Sequence, residues 1–230
     1  MGMDAPIHMN MSPPHMHTDR NILTLAQWLS PAFPIGAFAY SHGLEQAIQS
    51  GRIENPDGLQ IWLADVVQHG SGINDCILLR AAYASSSAEE LEQINQTAFA
   101  FMASSERRLE AELQGAAFCK TAASIWGATL QNLSYPVAVG RAAAHLSIDV
   151  RLTAAMYLHA VLSNLISAAM RLMPLGQTDG QRLLAELTAL CENIAADSAA
   201  HCLNDLSSSA FLSDIMAMQH ETLQPRIFRS

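Results

Sequence analysis

Ser41, His42 and Glu45 crowd a hydroxyl, an imidazole and a carboxylate into one short stretch, the raw material of nucleophilic catalysis. Adjacent serine and histidine rarely align as nucleophile and base, and no third member is evident, so the spacing argues against a triad. His69, His145, His159 and His201 stand alone, and a lone histidine on an apolar helix serves more often as a hydrogen-bonded core residue than as a ligand. His159 is the one to test for the alternative function, a helical metal-dependent enzyme using buried histidines. His220-Glu221 lacks the second histidine a zinc site needs, and there is no P-loop, dinucleotide fingerprint or HExxH. Cys76, Cys119, Cys191 and Cys202 have no CxxC spacing and sit in apolar helical patterns, which reads as buried free thiols in a reducing cytosol.

The first residues hold further metal-binding types: His8, His15 and His17 among Met3, Met9, Met11 and Met16. Imidazole and thioether suit a soft or borderline metal such as nickel or copper. Ordering a flexible tail costs backbone entropy, so His15 and His17 are candidates without making a firm site. Residues 1–21 read as a disordered His- and Met-rich leader ahead of a helical domain over 22–230. The leader lacks the basic region and apolar run of a secretory signal.

The elements that must position these groups centre on residues 149–173. Leu158, Val161, Leu162, Leu165, Ile166, Ala169 and Leu172 recur at helical spacing, and Pro174-Leu175-Gly176 ends the run. The stretch is about long enough for a bilayer, which takes ~20 apolar residues, but His159, Asn164 and Arg171 would be costly there. It therefore reads as the buried central helix of a bundle and not as a membrane span.

Asn55-Pro56 and Ser87 to Glu90 carry helix-start signals, as do Asn74-Asp75, Ser147 to Asp149 and Thr178 to Gln181. Leu183, Leu184, Leu187, Leu190, Cys191 and Ile194 mark a long partner helix. The charges of Glu106 to Glu112 form either a solvated or a contact face. No alternating strand of useful length appears, so the fold class is all-α, a single-domain bundle of about eight to ten helices.

Half the residues are hydrophobic and only 14% are charged, with a formal net charge of -9, so much of the surface is destined for burial. An acidic chain does not suit nucleic acid. Two stretches stand out: an apolar irregular loop bearing Phe33, Ile35, Phe38 and Tyr40, and a terminal segment with Ile227 and Phe228 between Arg226 and Arg229. The terminal segment reads either as a recognition peptide ordered by a partner or as a tail docked on its own bundle.

Three stretches together resemble the urease accessory protein UreF family. They are Ser30-Pro31-Ala32-Phe33-Pro34-Ile35-Gly36-Ala37-Phe38-Ala39-Tyr40-Ser41 with Gly43-Leu44-Glu45, then Arg171 to Gln181, then His220-Glu221 with Arg226-Ile227-Phe228-Arg229-Ser230. The resemblance covers residues 23–230, with departures at Ala39, Gln224-Pro225 and Ile227.

It implies a cytoplasmic homodimeric scaffold that is not an enzyme. By this analogy the scaffold bridges UreD (also called UreH) and the GTPase UreG to urease apoprotein for nickel insertion. It would have no resident cofactor, nickel passing through the assembled complex, and would act either as a passive scaffold or by regulating GTP hydrolysis, for which Arg107, Arg108 and Arg171 are candidates by their chemistry alone. His220, Glu221, Arg226, Phe228, Arg229, Ser230, Arg171 and Gln177 would meet UreD. Pro34, Gly36, Phe38, Tyr40, Gly43 and Glu45 would build the dimer or the GTPase face. A bulky residue at Gly176 is expected to disturb the core.

Overall fold

A computed structural model describes residues 15–230, and among them every regular element is helical. The ten α-helices are α1 (His15–Trp28), α2 (Leu44–Gln49), α3 (Pro56–His69), α4 (Ser71–Ala84), α5 (Ala88–Ala100), α6 (Ser105–Trp126), α7 (Tyr135–His145), α8 (Val150–Leu172), α9 (Gln177–Asp197) and α10 (Phe211–His220). The remainder of the leader, residues 1–14, and the side chains of His15 and His17 lie outside the described residues. Helix α1 begins at His15, upstream of the Ile22 at which the sequence reading starts its first helix.

Helix α8 is the predicted central helix. Asp149 caps it by accepting from the Leu152 N–H at 2.7 Å, and it ends at Met173, before Pro174. Leu158, Leu162 and Leu165 are fully or almost fully buried, each worth about 1.5–3 kcal/mol. The helix is long and apolar enough to cross a membrane by composition, yet half of its apolar window is buried inside the bundle. Its polar residues have a job within the fold: Asn164 donates to the Ala37 carbonyl at 3.0 Å, and Arg171 donates to the Phe38 carbonyl at 3.2 Å.

Around α8 the core is continuous and runs through a line of aromatic rings. Trp28 of α1 meets Phe118 of α6 edge-on at 5.4 Å, Phe118 meets Tyr135 of α7 at 5.8 Å, and Tyr135 meets Tyr157 of α8 at 5.4 Å. Helices α4 and α7 touch backbone to backbone because Gly140 has no side chain. A Cβ there would sit 2.1 Å from the Leu79 carbonyl oxygen.

Asn55 and Ser87 act as caps, accepting from Gly58 and Glu90 backbone N–H groups. The start signal at Thr178 is misplaced, since Gly176 is the N-cap of α9 and offers no side-chain acceptor. Asn74-Asp75 lies inside α4, not at its start, so Asp75 is a buried mid-helix carboxylate. Three cysteines are buried free thiols as expected, whereas Cys202 is exposed.

Candidate partner-binding site

Sequence distance conceals the main feature of the molecule: the apolar motif near residues 30–45 and the terminal segment lie against each other. The motif loop turns at Gly36 (φ 73°) and again at Gly43 (φ 78°), left-handed conformations that favour glycine. At Gly43 the backbone of α10 passes so close that a Cβ would lie 2.6 Å from the Ala217 nitrogen. This contact brings α2 beside α10 and sets Glu45 beneath the tail.

Glu45 is completely buried and is surrounded by donors. Its Oε1 accepts from the Ile227 N–H at 2.7 Å, and its Oε2 accepts from the Phe228 N–H at 2.9 Å and from His220 Nε2 at 3.1 Å. The other ring nitrogen of His220, Nδ1, faces Glu106 Oε2 at 2.7 Å. His220 thus bridges two carboxylates, one at each ring nitrogen, and ties α2 to α6. Glu106 also pairs with Arg226. Beyond Phe228 the chain lies along the motif loop: the Arg229 N–H donates to the Ala39 carbonyl and the Ser41 N–H to Ser230 O, both at 2.8 Å.

One turn further along α6, Glu110 gathers Arg107, His42, Gln114 and the Ser230 hydroxyl. Burial pushes the Glu110 carboxyl up, but Arg107, His42 and Ser230 outweigh it and hold the group down at about 2. Burial, then the neighbouring Arg107 charge, lowers the pKa of His42. Its Nδ1 is buried without a hydrogen-bond partner. At the start of α6, Glu221 accepts from the Ser105 hydroxyl at 2.7 Å and its N–H at 2.8 Å, and this hydroxyl is the chief reason its carboxyl sits below the ordinary range.

The tail residues divide by direction. His220, Phe228 and Ser230 are buried, while Glu221, Arg226, Ile227 and Arg229 are exposed. Phe228 packs under the Arg171 guanidinium, which lies 4.7 Å from the ring centroid. Of the motif, Tyr40, Gly43 and Glu45 are buried, while Pro34 and Phe38 are exposed. Gln177 is exposed in the first turn of α9. Gly176 is exposed too, and a Cβ there meets the Asp179 carboxylate at 3.1 Å and no core side chain within 4 Å.

Ser41, His42 and Glu45 point to different partners, namely Ser230, Glu110 and the tail backbone, and do not form a triad. Among the described residues, no group of three or more His, Cys, Asp or Glu side chains is placed to hold a metal ion. His159 is half-buried. Reasoning from sequence singles out His42 only as a rejected triad member, Asp75 only as a helix start and the Glu106 to Glu112 charges as a solvated or contact face, so the contacts of Glu106, Glu110, His42 and Asp75 are new to the structure. The four-residue spacing of Glu106 and Glu110 puts both on one helix face and was the available signal.

The fold and this seam define a class: an all-helical protein whose most distinctive charged side chains are used to hold one segment of chain on another. The UreF family profile matches residues 53–188. The chain is 52% identical over 213 residues to the urease accessory protein UreF of Ruegeria pomeroyi, covering 93% of this chain and 98% of that one. It is 47% identical over 221 residues to the UreF of Roseobacter denitrificans (94% and 99%), and 47% identical over 211 residues to that of Cereibacter sphaeroides (92% and 99%). The chain belongs to the UreF family, whose named members are urease accessory proteins and not enzymes.

Proposed function

We propose that this chain is a urease accessory protein that works in the cytoplasm as a dimeric scaffold, joining UreD and the GTPase UreG to urease apoprotein while nickel is inserted. The observation that supports it best is the docked tail. Phe228 and Ser230 anchor the segment, and Ile227, at 63% exposure, is displayed outward between the exposed Arg226 and Arg229. Apolar and arginine side chains held on a rigid support make a good recognition surface, because their ordering cost is already met before binding. The outward side of this segment, with Glu221 and Arg171, is the face assigned to UreD. The tail rests on its own bundle, so it does not need a partner in order to be placed.

Further apolar surface awaits cover. Phe211, Leu212, Ile215 and Met218 run along one side of α10 with between 42% and 68% of their surface exposed. This suits a protein that works inside an assembly. Nickel is cargo in this reading and not a resident cofactor.

Among the arginines considered for acting on GTP, Arg107 is taken up by Glu110, whereas Arg108 and Arg171 are exposed. Measuring GTP turnover of UreG with and without this protein tests regulation, and unchanged turnover would leave the scaffold alone. The scaffold itself is tested by capture. Deleting Gln224 to Ser230 is expected to leave the helical content intact and abolish recovery of UreD, and recovery at the full-length level would refute the tail as the docking element.

A further inference from the structure

A cavity of about 210 Å³ opens beside the tail seam and plays no part in the reading above. Its apolar lining includes Leu29, Pro31, Phe33, Ile35, Met102 and Val161. Its polar lining is concentrated in His42, Asp75, Arg107, Glu110 and Tyr157, drawn from the motif loop and from α4, α6 and α8. A mostly apolar pocket with a few convergent polar groups has the composition of a binding site.

The charges are unevenly satisfied. Arg107 and Glu110 neutralise each other, and both Glu110 oxygens are fully engaged. Asp75 accepts from the Tyr157 hydroxyl at 2.9 Å through Oδ2, and among the described residues no donor reaches its other oxygen. Burial raises the Asp75 carboxyl to about 6, against the pull of Arg107 and the Tyr157 hydrogen bond. The cavity thus offers apolar walls and one carboxylate with a free acceptor, whose neighbouring cation, Arg107, is engaged by Glu110.

We propose that this cavity receives a basic side chain, arginine or lysine, from the partner protein that covers the tail, its alkyl stem lying on the apolar walls and its cationic head meeting Asp75. The inference rests on the scaffold reading. The lining of the cavity adjoins the surface assigned to that partner. Phe38, a lining residue with 65% of its surface exposed, accepts through its carbonyl from the same Arg171 that covers Phe228. Glu110 lines the cavity and also receives the Ser230 hydroxyl of the tail.

The groups around Asp75 define the pH dependence. Arg107 and Glu110 face it from α6, Tyr157 from α8 and Tyr135 from α7, with Cys76 beside it on α4. His42 lines the same cavity. Acidification protonates both Asp75 and His42, and each change disfavours a cation.

The test is a titration of the ¹⁵N-labelled full chain with N-acetyl-arginine methylamide, alongside the citrulline analogue, which is nearly isosteric but neutral. The arginine probe is expected to shift the amides of Asp75, Tyr157 and Val161 with a dissociation constant of about 1–10 mM at pH 7.5. It should bind at least about tenfold more tightly than the citrulline probe, and should weaken about tenfold by pH 5 as Asp75 takes up its proton. Asp75→Asn should remove the preference for the cation, and the pH arm on the unaltered chain gives the same answer without any substitution. Equal binding of the two probes, or no shifts at about 100 mM, overturns the proposal. Capture of the partner separates this failure from that of the scaffold reading. Asp75→Asn should weaken capture at least about tenfold, whereas undiminished capture by this variant, with capture lost on tail deletion, removes the anchor and leaves the scaffold standing.

Discussion

Glu45 and Phe228, 183 residues apart, are joined by a hydrogen bond of 2.9 Å from the Phe228 N–H to a carboxylate with no exposure to solvent. A buried carboxylate must be satisfied by donors, and here the donors are the tail. The N-terminal motif and the terminal segment therefore depend on each other, since either would leave buried polar groups unpaired without its counterpart.

Glu45→Gln removes the charge and turns one acceptor oxygen into a donor facing a backbone N–H. Each hydrogen bond to a charged group is worth about 1.5–3 kcal/mol, so the tail should loosen by several kcal/mol. Amide hydrogen exchange should accelerate at least about tenfold over residues 220–230 while α8 and α9 keep their protection. Unchanged exchange at Ile227 and Phe228 would show that Glu45 does not hold the tail.

Asp75→Asn is expected to stabilise the protein at neutral pH. The wild-type carboxyl titrates at about 6 when folded and near 3.8 when unfolded, so the folded state holds its proton more tightly. Its stability is therefore greatest below pH 3.8 and declines as pH rises to 6, by about 3 kcal/mol at most. Asparagine carries no such cost. Melting temperatures of the two proteins should diverge between pH 4 and 7, the variant being the more stable at the upper end, and parallel curves would contradict the burial of an ionised Asp75.

The bundle was largely legible in the sequence because periodic apolar residues and caps are local signals. Leu158, Leu162 and Leu165 declare α8 by spacing alone, and Asn55 and Ser87 cap where their types suggest. The seam was only half legible. His220, Phe228 and Glu45 could be singled out by motif, but nothing local says that a carboxylate at 45 meets an amide at 228. Asn74-Asp75 resembles a helix start because those residues favour caps, while tertiary packing carries α4 through them from Ser71. The charges of α6 were ambiguous for the same reason: Glu106 and Glu110 look like solvated residues until the tail that covers them is in place.

Gly140→Ala tests the close approach of α4 and α7. The added carbon would sit 2.1 Å from the Leu79 carbonyl oxygen, and the obstacle is backbone, which cannot rotate away. Helix propensity favours alanine by about 1 kcal/mol, so a surface glycine would gain from the change. Here overpacking should outweigh it, for a net loss of about 1–3 kcal/mol in chemical denaturation. A stabilised variant would mean that the two helices part without cost.

Glu110→Gln should expose the opposite pH dependence to that of Asp75. The Glu110 carboxyl is held at about 2 in the folded chain against 4.5 unfolded, chiefly because Arg107 and His42 outweigh the burial that pushes it up. A depressed carboxyl contributes stability that is complete above pH 4.5 and is lost as pH falls towards 2, about 3 kcal/mol in all. Glutamine forfeits that contribution at every pH and leaves the Arg107 guanidinium without its counter-charge, a loss typical of breaking one side of a buried pair, about 3–5 kcal/mol. At pH 7 the variant should therefore melt well below wild type, and the gap should narrow as the solution is acidified from pH 4.5 towards 2. Because Ser230 donates to the same carboxylate, the tail should also exchange its amides faster in the variant. A gap that stays constant down to pH 2 would place the stabilising charge elsewhere.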